Sequence, residues 1–233
     1  MSAVTAEVEE IDLAAVGLRA LNARLHELAR SPGPARWRVR NPGGEHALAA
    51  GLDADIEVDI DGHAGYYCAG MNKRATVRIH GMAGVGVAEN MMSGTVIVEG
   101  NASAAAGATG RGGLLVIRGD AAGRCGISMK GIDIVVGGSV GHMSAFMAQK
   151  GRLVVCGDAG DGLGDSLYEA RIYVRGAVAE LGADCIEKEM RAEHEAELRE
   201  LLERAGLGSP EGFRRYGSAR RLYNFHRDNA GEY

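Results

Sequence analysis

Residues 95–119 read TVIVEGNASAAAGATGRGGLLVIRG: a β-branched run closing on Gly100, then a second closing on Gly119. Outward from this stretch the same figure recurs as IEVDIDG, TVRIHG, IVVGG, RLVVCG and RIYVRG. The seven runs close on Gly62, Gly81, Gly100, Gly119, Gly138, Gly157 and Gly176, and every interval is 19 residues. An unbroken interval of this kind marks a stacked repeat architecture. Two alternating positions before each glycine are always apolar: Val58/Ile60, Val77/Ile79, Val96/Val98, Leu115/Ile117, Ile134/Val136, Leu153/Val155 and Ile172/Val174. Alternation with period two places both members of each pair on one face of a strand.

The positions after the glycine repeat as well. They read GHAG, GMAG, GNAS, GDAA, GSVG, GDAG and GAVA, with the turn formers Asn101, Asp120, Ser139 and Asp158 at one phase. Seven residues past the glycine the residue is always small (Ala69, Ala88, Gly107, Gly126, Ala145, Gly164, Ala183), which suggests that backbones pass close together there. One strong strand per repeat and no helical period leave no room for a crossover helix, so neither a hairpin nor a βαβ unit fits. The expected fold is all-β, a right-handed parallel β-helix of about seven 19-residue coils. At a strand spacing of ~4.8 Å its seven coils span roughly 29 Å.

Composition agrees. Glycine accounts for 36 of 233 residues and proline for only 4, a repeated backbone need rather than a collagen or linker signature. The net charge of −5 gives no reason to expect nucleic acid or an anionic membrane as partner. Cys68, Cys125, Cys156 and Cys185 form no CxxC and have no histidine at metal-ligand spacing, which reads as small buried or half-buried residues in a reducing compartment. Without a signal-like N-terminus or an apolar run of ~18 residues, a soluble cytoplasmic protein is expected.

Three segments follow: residues 1–40 as an N-terminal helix and linker, 41–185 as the β-helix, and 186–233 as a C-terminal helix and tail. Asp12 to Arg30 reads as an amphipathic helix N-capped by Asp12, with Leu18, Leu21, Leu25 and Leu28 at three-four spacing. Ile186 to Ala205 reads as a second helix, with Met190, Leu198, Leu201 and Leu202 apolar and Gly206 just past its end. The tail sets Phe213, Tyr216, Tyr223, Phe225 and Tyr233 beside Arg214, Arg215, Arg220, Arg221 and Arg227. Aromatic and arginine side chains anchor protein interfaces; the competing readings are a nucleic-acid tail, which the overall acidity disfavours, and a tail packed back on its own solenoid. On the outer strand face, Ile97, Val116, Val135, Val154 and Tyr173 form an apolar stripe that the flanking helices or another subunit must cover.

Catalytic signatures are not apparent. The seven histidines form no HxH or HExxH, and the Gly-rich stretches GATGRGG and GDAGDGLGD lack a Walker lysine-serine pair or a GxGxxG opening a helix. GHAGYYCAGMNKRA and GVAENMMSG are less regular than the coils around them, and irregular side chains on a regular scaffold are where function gathers. The candidate interface residues are Tyr66, Tyr67, Met71, Asn72, Lys73, Asn90, Met91 and Met92, together with Arg221, Tyr223 and Phe225 in the tail.

These two segments and the glycine repeat resemble the GXGXG domain, the β-helix at the C-terminal end of the large subunit of glutamate synthase. The domain also occurs in a subunit of formylmethanofuran dehydrogenase. With NPGGEHALAAGL before the solenoid and RRLYNFHRDNAGEY after it, the chain looks most like the stand-alone β-helix subunits of N-methylglutamate synthases. The resemblance implies a hetero-oligomer with a class II amidotransferase-like subunit and an FMN and iron-sulfur glutamate synthase-like subunit, converting glutamate and methylamine to N-methylglutamate and ammonia. It further implies that the β-helix is a scaffold without catalytic, cofactor-binding or metal residues, since FMN and the cluster belong to a partner. Another glutamate synthase, or a formylmethanofuran dehydrogenase-type enzyme, is the alternative setting. An independent carbohydrate-active β-helix would need clustered carboxylates where this chain has an apolar stripe.

Overall fold

A four-residue run such as TVIV, apolar on one face, leaves both backbone edges unpaired, and a chain that repeats it satisfies them by stacking copies. The computed structural model, which describes residues 8–31 and 33–220, shows this arrangement. Strands β3 (Glu57–Ile60), β4 (Thr76–Ile79), β5 (Thr95–Val98), β6 (Leu114–Ile117), β7 (Lys130–Val136), β8 (Lys150–Val155) and β9 (Arg171–Val174) follow one another as parallel neighbours in one sheet. Val58 pairs with Val77, Val77 with Val96, Val96 with Leu115, and so on to Ile172, so like stacks on like. All of the expected inward pairs are at most 1% exposed. The fold is a parallel β-helix.

The turns are fastened between coils rather than within them. Asn101 Oδ1 accepts from Asp120 N, Asp120 Oδ1 from Ser139 N, Ser139 Oγ from Asp158 N, and Asp158 Oδ1 from Ala177 N. A second parallel ladder then joins Ala64, Ala83, Ala102, Ala121, Val140, Ala159 and Val178.

The small residues seven past the glycine have a different cause from the one expected. Ala69, Ala88, Gly107, Gly126, Ala145 and Gly164 all adopt left-handed φ, between 53° and 69°. Their side of the chain also faces the apolar interior: a Cβ on Gly107 would lie 2.6 Å from Ile134 Cδ1. A left-handed backbone and a full core together, not backbone crossing alone, restrict this phase to Gly and Ala.

The ladder begins upstream of residue 41. Strand β1 (Val8–Asp12) pairs in parallel with β2 (Arg36–Arg40), and β2 with β3. Val39 pairs with Ile60, 21 residues on, so these coils lie outside the 19-residue beat. The expected N-terminal helix is two pieces: Asp12 caps α1 (Leu13–Val16), Gly17 breaks the chain at φ 77°, and α2 (Leu18–Glu27) follows. An open β-helix end would expose unpaired backbone groups. Asn22 of α2 donates to Ala47 O and accepts from Ala49 N, while Leu21 and Leu25 are buried on the core.

At the other end the expected helix from Ile186 is corrected. Cys185–Lys188 is strand β10, and helix α3 spans only Ala192–Ala205, closed by left-handed Gly206. Strand β11 (Arg214–Ser218) enters antiparallel between β9 and β10 and ends the parallel ladder. It brings Tyr216 and the adjoining Phe213 back onto the molecule, at 2% and 8% exposure. Helix α3 settles what covers the apolar stripe: Leu198, Leu201, Leu202 and Ala205, with Phe213, form one buried cluster with Val116, Val135, Val154 and Tyr173, while Ile97 packs at its edge. Each leucine contributes about 1.5–3 kcal/mol of burial. Glu197 fastens the helix through Arg171 (2.8 Å), Arg152 (3.5 Å) and the Tyr173 hydroxyl. No helix among the described residues is long and apolar enough to cross a membrane.

Candidate interaction surface

Inside the solenoid the chemistry is inert. Cys68 and Cys125 are fully buried, and burial pushes both thiols up to about 12; Cys185 is pushed to about 11 and Cys156 also upward. Thiols so shifted stay protonated at neutral pH and are poor nucleophiles and poor ligands. Among the described residues no group of three or more His, Cys, Asp or Glu side chains is placed to hold a metal. Several histidines serve the backbone instead: His46 Nδ1 accepts from Tyr66 N, and His63 Nδ1 from Met82 N, each at 2.9 Å.

The surface is less uniform. Of the residues selected from the sequence, Tyr66, Met71 and Met92 are exposed, at 57%, 47% and 42%. Tyr66 stands on the His46 ring, centroids 4.5 Å apart and nearly parallel. Lys73 is exposed and paired with Asp53 at 2.8 Å. Tyr67 and Asn90 are half-buried and joined, Asn90 Nδ2 donating to the Tyr67 hydroxyl while Asn90 Oδ1 accepts from Thr109. Asn72 and Met91 are corrected: both are fully buried, because ten residues past the glycine the side chain points inward. Asn72 Nδ2 donates to Ala75 O, and its Oδ1 has no partner. Arg221, Tyr223 and Phe225 lie outside the described residues.

Of the exposed apolar residues that escaped the sequence reading, Met82 and Val85 lie on these same coils, and Val8, Met147 and Ile186 lie elsewhere. Met82 is 52% exposed at the turn phase where Asn101, Asp120, Ser139 and Asp158 supply an acceptor to the next coil. Val85 is 38% exposed at a phase where the later coils carry Ala104, Gly123, His142 and Asp161. Comparing each residue with its equivalents 19 positions away would have found both. The first two 19-residue coils thus concentrate exposed Tyr66, Met71, Met82, Val85 and Met92. Large exposed apolar side chains grouped on a rigid frame mark contact sites for another protein.

The chain is 64% identical over 225 residues to Protein GlxC of Rhizobium meliloti (strain 1021), an alignment that covers 96% of this chain and 99% of that protein. No family model matches the chain, and no solved structure does.

Proposed function

The chain belongs to the GlxC family, and on that premise we propose that it is a non-catalytic scaffold subunit of a glutamate synthase-like complex. The observation that carries this reading is the contrast between interior and surface. The core is mainly hydrocarbon with protonated thiols and the buried side chains of Asn72 and Ser144, while exposed Tyr66, Met71, Met82, Val85 and Met92 gather on two consecutive coils. The resemblance of GHAGYYCAGMNKRA, GVAENMMSG and the flanking segments narrows the complex to an N-methylglutamate synthase, converting glutamate and methylamine to N-methylglutamate and ammonia.

In this reading an amidotransferase-like subunit releases or handles the small amine, and a second subunit with FMN and an iron-sulfur cluster carries the synthase chemistry. The residues of this chain do not fit an iron-sulfur cluster. Cys68 and Cys125 are interior and separated by three coils of 19 residues, about 14 Å at ~4.8 Å per coil, far from a four-thiolate cage. What the chain offers is stiffness. Moving a small amine between two active sites requires that the subunits be held at constant separation, and a continuous ladder of stacked coils resists bending.

Co-expression with the amidotransferase-like and FMN subunits, followed by purification and an assay of methylamine incorporation into glutamate, tests the proposal. The expected result is an assembly that contains this chain and loses activity when the chain is omitted. Turnover by the isolated chain, or full activity of the other subunits without it, overturns the reading.

A further inference from the structure

On the outer strand face the coils match their charges. Arg36 lies in register with Glu57 and pairs with it at 3.0 Å, and Asp133 lies in register with Arg152 and pairs at 2.5 Å. At the like-charge step of Arg152 beside Arg171 a docked segment supplies a bridging carboxylate: Glu197 of α3 contacts both guanidinium groups. Like charges directly opposite one another are destabilising, and the fold removes the problem with an acid delivered from elsewhere in the chain.

One edge breaks this pattern. Arg111 and Lys130 occupy the same phase of successive coils, Arg111 N donating to Met91 O and Lys130 N to Gly110 O, and Lys130 is in register with Lys150. All three side chains are exposed, and among the described residues none has a carboxylate within ion-pair distance. The chain as a whole is acidic, at −5, so this row is not the residue of a general cationic excess.

Beside the row, Thr109, Ser128 and Met147 hold left-handed φ, between 52° and 55°, as Met71, Asn90 and Ser166 do at the same corner of the other coils. Each such residue costs about 1–2 kcal/mol relative to an ordinary backbone, most awkwardly for β-branched Thr109. Between Lys130 and Lys150 the surface opens into a recess of about 390 Å³ whose walls include Met147 and Tyr168. Glu169 also lines it and makes no ion pair with either lysine.

We infer that the Arg111–Lys130–Lys150 edge docks an acidic, partly apolar segment of a protein partner, whose carboxylates do for this row what Glu197 does for Arg152 and Arg171. An apolar side chain of the same segment occupies the recess against Met147 and Tyr168. This rests on the reading of the chain as a scaffold but makes a separate claim about which edge engages and by what chemistry.

The test uses the full-length chain and a short fluorescein-labelled peptide of glutamates flanking two leucines, followed by anisotropy at low and moderate salt. Wild type is expected to bind in a salt-sensitive manner. Combined Arg111→Gln, Lys130→Gln and Lys150→Gln substitutions should weaken binding about tenfold, at about 0.5 kcal/mol for each exposed pair. Combined Arg19→Gln, Arg24→Gln and Arg30→Gln, an equal charge change on exposed residues outside the edge, should leave it unchanged, with circular dichroism confirming that both variants fold. No binding, equal loss in the control, or tighter binding of pyrophosphate or a single-stranded oligonucleotide at the same edge overturns the inference. In the co-expressed assembly, carbodiimide should join Lys130 or Lys150 to a carboxylate of another subunit. An intact assembly in which both lysines remain freely acetylated sinks the docking edge and leaves the scaffold standing. Peptide binding without any assembly does the reverse.

Discussion

Val98→Asp places a carboxyl in the middle of the inner ladder. Val98 is fully buried and stacks in register between Ile79 and Ile117. Losing its burial costs about 1.5–3 kcal/mol. Surroundings this apolar raise a carboxyl pKa by up to 3–5 units, and at pH 7 the group either stays charged or takes up a proton at a cost of about 4 kcal/mol. The sum, roughly 6–7 kcal/mol, is comparable to the entire stability of a typical domain, about 5–15 kcal/mol. Thr95→Asp, on the same strand but at an outward half-buried position, should cost about 1 kcal/mol or less. Urea unfolding followed by far-UV circular dichroism compares the two. The pH dependence is diagnostic: a raised native pKa makes the penalty complete at neutral pH and removes part of it as pH falls toward about 4, where the unfolded carboxyl also protonates. A Val98→Asp protein with the same midpoint as Thr95→Asp would show that this face does not line the interior.

Other perturbations probe the ends and corners. Glu197→Ala leaves Arg152 and Arg171 without their shared carboxylate and should destabilise α3 docking by about 2–3 kcal/mol, read as faster hydrogen exchange over Leu198–Ala205. His194, held below its usual pKa by burial and by Arg215, accepts from Arg191 N at the start of α3. The unfolded chain therefore takes up the proton more readily, so stability is complete above about pH 6.5 and declines as pH falls through the depressed native value; His194→Gln should flatten that slope in urea titrations. At the left-handed corner, Ala88→Gly should be neutral or stabilise by up to about 1 kcal/mol, whereas Gly107→Val should destabilise by more than that, measured as shifts in thermal midpoint. Native protein should show Cys68 and Cys125 protected from a thiol reagent while half-buried Cys156 reacts first; equal rates would contradict their burial.

The legible part of this fold was the part set by near neighbours. Val77, Val96 and Leu115 identify themselves as one ladder because successive coils offer the same environment at the same phase, so the pattern survives translation into a string. The coils built on β1 and β2 were hidden because Val39 and Ile60 are 21 residues apart, two more than the beat allows. Ile186–Lys188 was read as helix because its charged, strand-neutral composition carries no period of its own; pairing with β11 decides its state. At the candidate surface, Tyr66, Met71 and Met92 were legible as departures from a regular frame. Asn72 and Met91 were not, since one residue of shift along a coil exchanges inside for outside.

Period, inward face and closing turns were thus written locally, because each is decided by residues within one coil and its copy. Coverage of the apolar stripe was not. Whether Val116, Val135 and Val154 meet solvent, a partner or the chain's own helix depends on where α3 lands after β10 and β11 have turned the chain back, and hydrophobic attraction carries no address. The row of Arg111, Lys130 and Lys150, unmatched among the described residues, emerged in the same way, since a cation's partners are known only once the carboxylates around it have been placed in space.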